Sequence, residues 1–176
     1  MSTFIPDPLH PAIVHFPIVL TMLLPLFALG ALWAIRRGAR PMRAWGLTSA
    51  VAGALVASAW LAVQTGEGQG DKVESVVPEN ALESHEEAGE AFLYFAGGVL
   101  VVTLVGLARG RVGQVARLAG TAGALGLVVA GWQVGHSGGE LVYRHGAASA
   151  YTQPGAVGSG EADANRSVAE RGADRD

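Results

Sequence analysis

The stretch R-R-G-A-R-P-M-R, Arg36–Arg43, holds four arginines and no acid, and it separates two long apolar runs. A second gap of the same kind, Arg109–Arg117, carries Arg109, Arg111 and Arg117, again without an acid. The segment between them, Thr65–Glu90, is the reverse: eight acids, among them Glu67, Asp71 and Glu86, stand against Lys72 alone. Short loops rich in Lys and Arg stay cytoplasmic. The alternation therefore predicts a topology, with both arginine gaps inside and all five histidines on the extracytoplasmic side.

Working outward, the apolar runs are Ala12–Ile35, Ala44–Gln64, Ala91–Ala108 and Arg117–Gly135. Each is close to the ~20 residues that a helix needs to cross the hydrocarbon core. Backbone polar groups in lipid must be satisfied internally, so four runs mean four helices. Short connectors after the first and third runs make two antiparallel hairpins. The expected fold is an all-α integral membrane antiparallel four-helix bundle with both termini periplasmic. Residues 1–11 form an N-terminal segment and 12–146 the transmembrane domain, with helices over 12–35, 44–64, 81–108 and 117–136. Residues 147–176 are a tail; from Gln153 it is rich in Gly, Ala, Ser and charge and reads as disordered. The N-terminus carries Asp7 and no cation before the first run, unlike a secretory signal, so the first helix is read as retained.

Composition agrees. Of 176 residues 50% are hydrophobic and mean hydropathy is +0.34, which no ordinary soluble domain shows. The formal net charge of -3 averages over segments of opposite sign. There is no cysteine, which excludes disulfides, iron–sulfur clusters and covalently attached haem. Any metal site must use histidine and carboxylate.

Several local features carry further expectations. Trp33 and Trp45 flank the first arginine gap while Trp60 and Trp132 lie near the opposite helix ends, which suggests two interfacial belts. Gly46, Ala50, Gly53 and Ala57 form one small-residue track, and Gly106, Gly110, Gly120, Ala124, Gly131 and Gly135 supply others, where membrane helices approach closely. T-G-E-G-Q-G, Thr65–Gly70, reads as a loop, and Asn80 with Glu83 as a capping box that starts a helix near Ala81. On that helix Leu82, His85, Gly89, Phe92 and Ala96 share a face, which aims His85 at the bundle. Pro17 and Pro25 interrupt the hydrogen bonding of the first helix, with Thr21 placed to compensate.

The histidines are the candidate site. His10 and His15 bracket the start of the first helix, and His136 ends the fourth with His145 just beyond. In an antiparallel bundle His15, His85 and His136 should lie at similar depth and are the expected ligands, with His10 and His145 as substitutes or supports. Neutral imidazole suits zinc, copper and iron, and its second nitrogen needs an acceptor. Glu67, Asp71, Glu86 and Glu140 are available for that purpose or as further ligands. The cofactor is therefore expected to be a b-type haem or a transition-metal ion. Tyr143 and Arg144 are expected to anchor the end of the fourth helix in the headgroup zone.

H-P-A-I-V-H-F-P-I, His10–Ile18, and G-G-E-L-V-Y-R-H-G, Gly138–Gly146, resemble the end motifs of a bacterial membrane family filed as domain of unknown function 2231. The likeness runs from Pro8 to Gly146 and brings His10, His15, Tyr143, Arg144 and His145 into the motifs. It implies a small inner-membrane protein working beside c-type cytochromes or other redox proteins, and assigns no catalytic residue. The expected function is a redox-linked module passing electrons between a quinol pool or membrane partner and a periplasmic carrier. The alternative is an assembly or anchoring subunit without a cofactor. Neither is a stand-alone enzyme or a nucleic-acid binder, and homo-oligomerisation stays open. A transporter is disfavoured, because Ser58, Thr103 and Thr121 are the main polar groups at mid-depth.

Overall fold

In a computed structural model the described residues are 9–152, with the side chains of Gln69, Asp71 and Thr152 left aside. The expectations for the tail beyond Thr152 and for Asp71 as a supporting group lie outside the described residues. The elements are α1 (His10–Ile13), α2 (His15–Arg36), α3 (Pro41–Val73), α4 (Glu79–Val105), α5 (Gly110–Tyr143) and α6 (Ser149–Thr152). The fold is all-α, and four helical stretches are long and apolar enough to cross a membrane: His10–Arg36, Pro41–Gly68, Glu79–Val105 and Gly110–Tyr143.

The long helices pack in a ring, α2 on α3, α3 on α4, α4 on α5 and α5 back on α2. Short turns join α2 to α3 and α4 to α5, which makes two antiparallel hairpins. At the first turn Gly38 takes a φ of 99°, a left-handed conformation that closes α2 at little steric cost. The central core is Leu24, Ala52, Leu55, Ala59, Phe92, Ala96, Val99, Ala124 and Leu127. Leu82, His85, Gly89, Phe92 and Ala96 do share the inward face of α4, and Glu83, Glu87 and Glu90 are exposed.

Chain breaks follow the prolines. Pro17 cannot donate to Ile13, and the helix is interrupted at Val14. Pro25 stays inside α2. Thr21, whose carbonyl Pro25 leaves without its helical donor, is itself buried and donates its hydroxyl to the Pro17 carbonyl at 2.7 Å.

Four local expectations are corrected. Thr65–Gly70 is not a loop, because α3 continues to Val73. Helical glycines cost about 1 kcal/mol each against alanine, yet packing overrides this: a Cβ on Gly66 would meet His10 Cε1 at 3.2 Å. Asn80 is no cap, since α4 begins at Glu79 behind Pro78 with no side-chain capping bond.

Trp45 is no belt residue. It is 0% exposed and donates Nε1–H to the Thr103 carbonyl at 2.9 Å, beside Gly106. Trp33, Trp60 and Trp132 are exposed as a belt requires. The track on α3 is not a packing seam either, since a Cβ on Gly46 or Gly53 would meet nothing within 4 Å. Close approach uses Gly106, Gly120, Gly123, Gly126 and Gly131 on the second hairpin, while Gly135 faces open space.

Arg117 is buried. It donates Nη1 to the Gly106 carbonyl at 2.6 Å and to the Ala108 carbonyl at 3.4 Å. A cation closing the carbonyl end of α4 satisfies orphan acceptors and complements the helix dipole.

Candidate functional site

At the end of the bundle where α1 starts and α5 finishes, two half-buried histidines meet. His10 opens α1 and His85 stands on the inward face of α4, with ring centroids 6.5 Å apart and planes at 83°. His10 Nδ1 lies 2.8 Å from the Ala62 carbonyl and 3.3 Å from Thr65 Oγ1. A carbonyl only accepts, so His10 carries its proton on Nδ1. Thr65 donates its own hydroxyl to the carbonyls of Leu61 or Ala62, at 2.9 and 3.0 Å, and faces His10 as an acceptor.

His85 is also held through Nδ1. Its Nδ1 lies 2.9 Å from Ser137 Oγ, and Ser137 donates its hydroxyl to the Val134 carbonyl at 3.0 Å. Ser137 Oγ is thus placed to accept an Nδ1–H from His85 while its hydroxyl turns to the Val134 carbonyl, or to donate to Nδ1 in the other tautomer. Each ring is thus tied to the protein through Nδ1, and His10 by its carbonyl partner is in the Nδ1–H tautomer. Glycines make room: a Cβ on Gly138 would meet His85 Cε1 at 2.9 Å, and one on Gly66 would press on His10. A small apolar cluster of Val77, Leu141 and Ala147, with Ala81 and Leu82 against it, lies one turn from His85.

The remaining candidates are elsewhere. His15 is exposed, because five residues of helix rotate it about 140° away from His10. His136 neighbours Ser137 and so sits about 100° around the helix from it; its side chain is 61% exposed and stacks on Trp132 at 5.3 Å. Its Nε2 is 3.9 Å from Glu140 Oε1, an oxygen that also accepts from Arg144 at 2.7 Å. His145 is half-buried past the end of α5. Glu67 accepts from Gln64 at 3.2 Å on the surface, and Glu86 is exposed, with an oxygen 3.5 Å from where a Gly70 Cβ would be. The expected trio His15, His85 and His136 is therefore not assembled, and His85 has His10 beside it instead. Among the described residues no three His, Cys, Asp or Glu side chains are grouped to hold a metal.

Thr65, Gly66, Ser137 and Gly138 escaped the reading of the sequence. Ser137 and Gly138 could have been found from S-G-G following His136, since small residues admit a facing ring.

Four apolar helices in a ring, with polar groups collected at the bundle's ends, define a multi-pass helical membrane protein. The family model for predicted membrane proteins designated DUF2231 matches residues 6–150, and the chain belongs to that family. No curated protein and no solved structure matches it.

Proposed function

We propose that this is a bacterial inner-membrane protein with both chain ends periplasmic, whose His10–His85 pair holds a transition-metal ion or the iron of a b-type haem. The observation that carries this reading is that the two rings stand beside each other, each tied to the protein through Nδ1. Ligand histidines are held in this way, with the second nitrogen donating to the protein and the lone pair kept for the metal. His10 and His85, with ring centroids 6.5 Å apart, are the residues that would hold the group. A pair without a third protein ligand suits haem, or an ion completed by external ligands. When bound, haem iron or copper would supply one-electron transfer, which zinc would not. The chain's own part is to orient the rings through Ala62 and Ser137 and to keep Cβ atoms away from them. The partners in this proposal are a quinol pool or membrane protein on one side and a cytochrome or similar periplasmic carrier on the other.

A second reading, an anchoring subunit without a cofactor, is favoured by the exposure of His15 and His136. These histidines lie where another protein would meet them.

Oxidised and dithionite-reduced spectra of the detergent-purified protein, with elemental analysis of the same sample, test the proposal. A Soret band that shifts on reduction and vanishes in His85→Ala supports haem. Stoichiometric copper or zinc lost in the same variant supports an ion. A colourless, metal-free protein after haem-replete, metal-supplemented expression defeats both and leaves the anchoring subunit.

A further inference from the structure

The opposite end of the bundle carries a feature that the histidine pair does not explain. An open groove of about 470 Å³ runs between α2 and α3, lined by Leu23, Leu26, Phe27, Gly30, Ala34 and Leu47 among others. Its lining is aliphatic and aromatic, and from Ala34 to Leu23 it extends about 16 Å along α2 at the helical rise. That is a long, narrow apolar trough on the outer surface of a membrane bundle, of a volume typical of ligand clefts.

Arginines adjoin the lining of the trough along the chain. Ala34 lies two residues before Arg36, and Ala44, which also lines the groove, follows Arg43 directly. Arg36, Arg37, Arg40 and Arg43 are all exposed, and no carboxylate bridges any of them among the described residues. Arg37 lies over the Trp33 ring, 5.2 Å from its centroid. The start of α3 adds to the charge: Arg40 is its N-cap with no side-chain capping bond, and the positive end of the helix dipole lies there. The other arginine turn differs, because Arg117 is buried and spends Nη1 on the carbonyls of Gly106 and Ala108.

From this juxtaposition we infer a binding site for an anionic phospholipid, with one acyl chain in the α2/α3 groove and its phosphate among Arg36, Arg40 and Arg43. Basic residues at the end of an interhelical pocket are the arrangement that recognises acidic headgroups. The site needs both parts. Zwitterionic lipid shares the acyl chain but lacks the net charge; glycerol phosphate has the charge but no chain.

Gly30 gives a clean test, since a Cβ there would meet no protein atom within 4 Å. Gly30→Leu therefore fills the trough without disturbing the bundle. Delipidated full-length protein in detergent is titrated with phosphatidylglycerol or phosphatidylcholine of equal chain length, and bound lipid is counted by native mass spectrometry. The expected result is a preference for phosphatidylglycerol on the order of tenfold, loss of that bound lipid in Gly30→Leu, and loss of the preference alone in Arg40→Gln/Arg43→Gln. Gly135→Leu, on an equally open face of α5, is the control and should bind as the wild type does. Equal binding of the two lipids, wild-type binding by Gly30→Leu, or displacement by glycerol phosphate as effective as by lipid would overturn the inference.

Discussion

The two ends of the bundle use buried polar groups in opposite ways. At the arginine end Trp45, Ser49 and Arg117 all donate to main-chain carbonyls on α4 or in the turn after it, and the arrangement closes on itself. At the histidine end His10 and His85 are also tied to the protein, but through Nδ1 of each ring. The first end uses these donors to hold helices together, although the buried Thr48 Oγ1 beside them has no hydrogen-bond partner. The second ties each ring through Nδ1, the arrangement on which the proposed ligand role of the pair rests.

This contrast can be broken by mutation. The largest effect is expected at Trp45→Ala, which empties a fully buried site and strips the Thr103 carbonyl of a donor. A loss of about 3–5 kcal/mol is expected, read as a lower thermal midpoint in detergent, with little change in any bound cofactor beyond the loss of folded protein. Arg117→Met should follow at about 1–3 kcal/mol, because the Gly106 carbonyl is left buried without its partner. If both substitutions left stability intact, the arginine end would not be the structural one.

At the histidine end the readout changes from stability to occupancy. His10→Ala and His85→Ala should each abolish cofactor binding while leaving the helical content unchanged by circular dichroism. Ser137→Ala should weaken binding about 10- to 100-fold, since it frees His85 to turn or change tautomer. The smallest effects belong to His15→Ala and His136→Ala, whose exposed rings should leave metal or haem content as in the wild type. Loss of cofactor in these two with retention in His10→Ala would overthrow the pairing.

Much of the architecture could be read in advance because it depends on long averages. The four apolar runs are each summed over many residues, and no single contact can reverse them. Finer readings failed where one contact decides. Trp45 resembles its exposed counterpart Trp33 in the sequence, yet Gly106 and the Thr103 carbonyl across the bundle draw it inside. Thr65–Gly70 has loop composition, but α3 persists because Gly66 must lie under the His10 ring.

The candidate site was half legible. Periodicity placed His85 on the inward face of α4. The choice between His10 and His15 depends on the helix interruption at Val14 and on which side of α2 meets α3, and neither is a property of the local sequence. His136 was preferred to its neighbour because imidazole is a ligand and a hydroxyl is a support; the helix turns the hydroxyl inward.

The origin of the two rings has a consequence for assembly. His10 belongs to the first hairpin and His85, with Ser137, to the second. Membrane hairpins can insert separately and associate afterwards. A ligand gripping both rings would bind only the associated form and stabilise it by mass action. Occupancy would then act as a clasp between halves that insert one after the other. Co-expression of the two hairpins as separate chains, cut between Val73 and Glu79, would show this as recovery of the pair in one complex that depends on His10 and His85 and is lost under chelation or haem depletion.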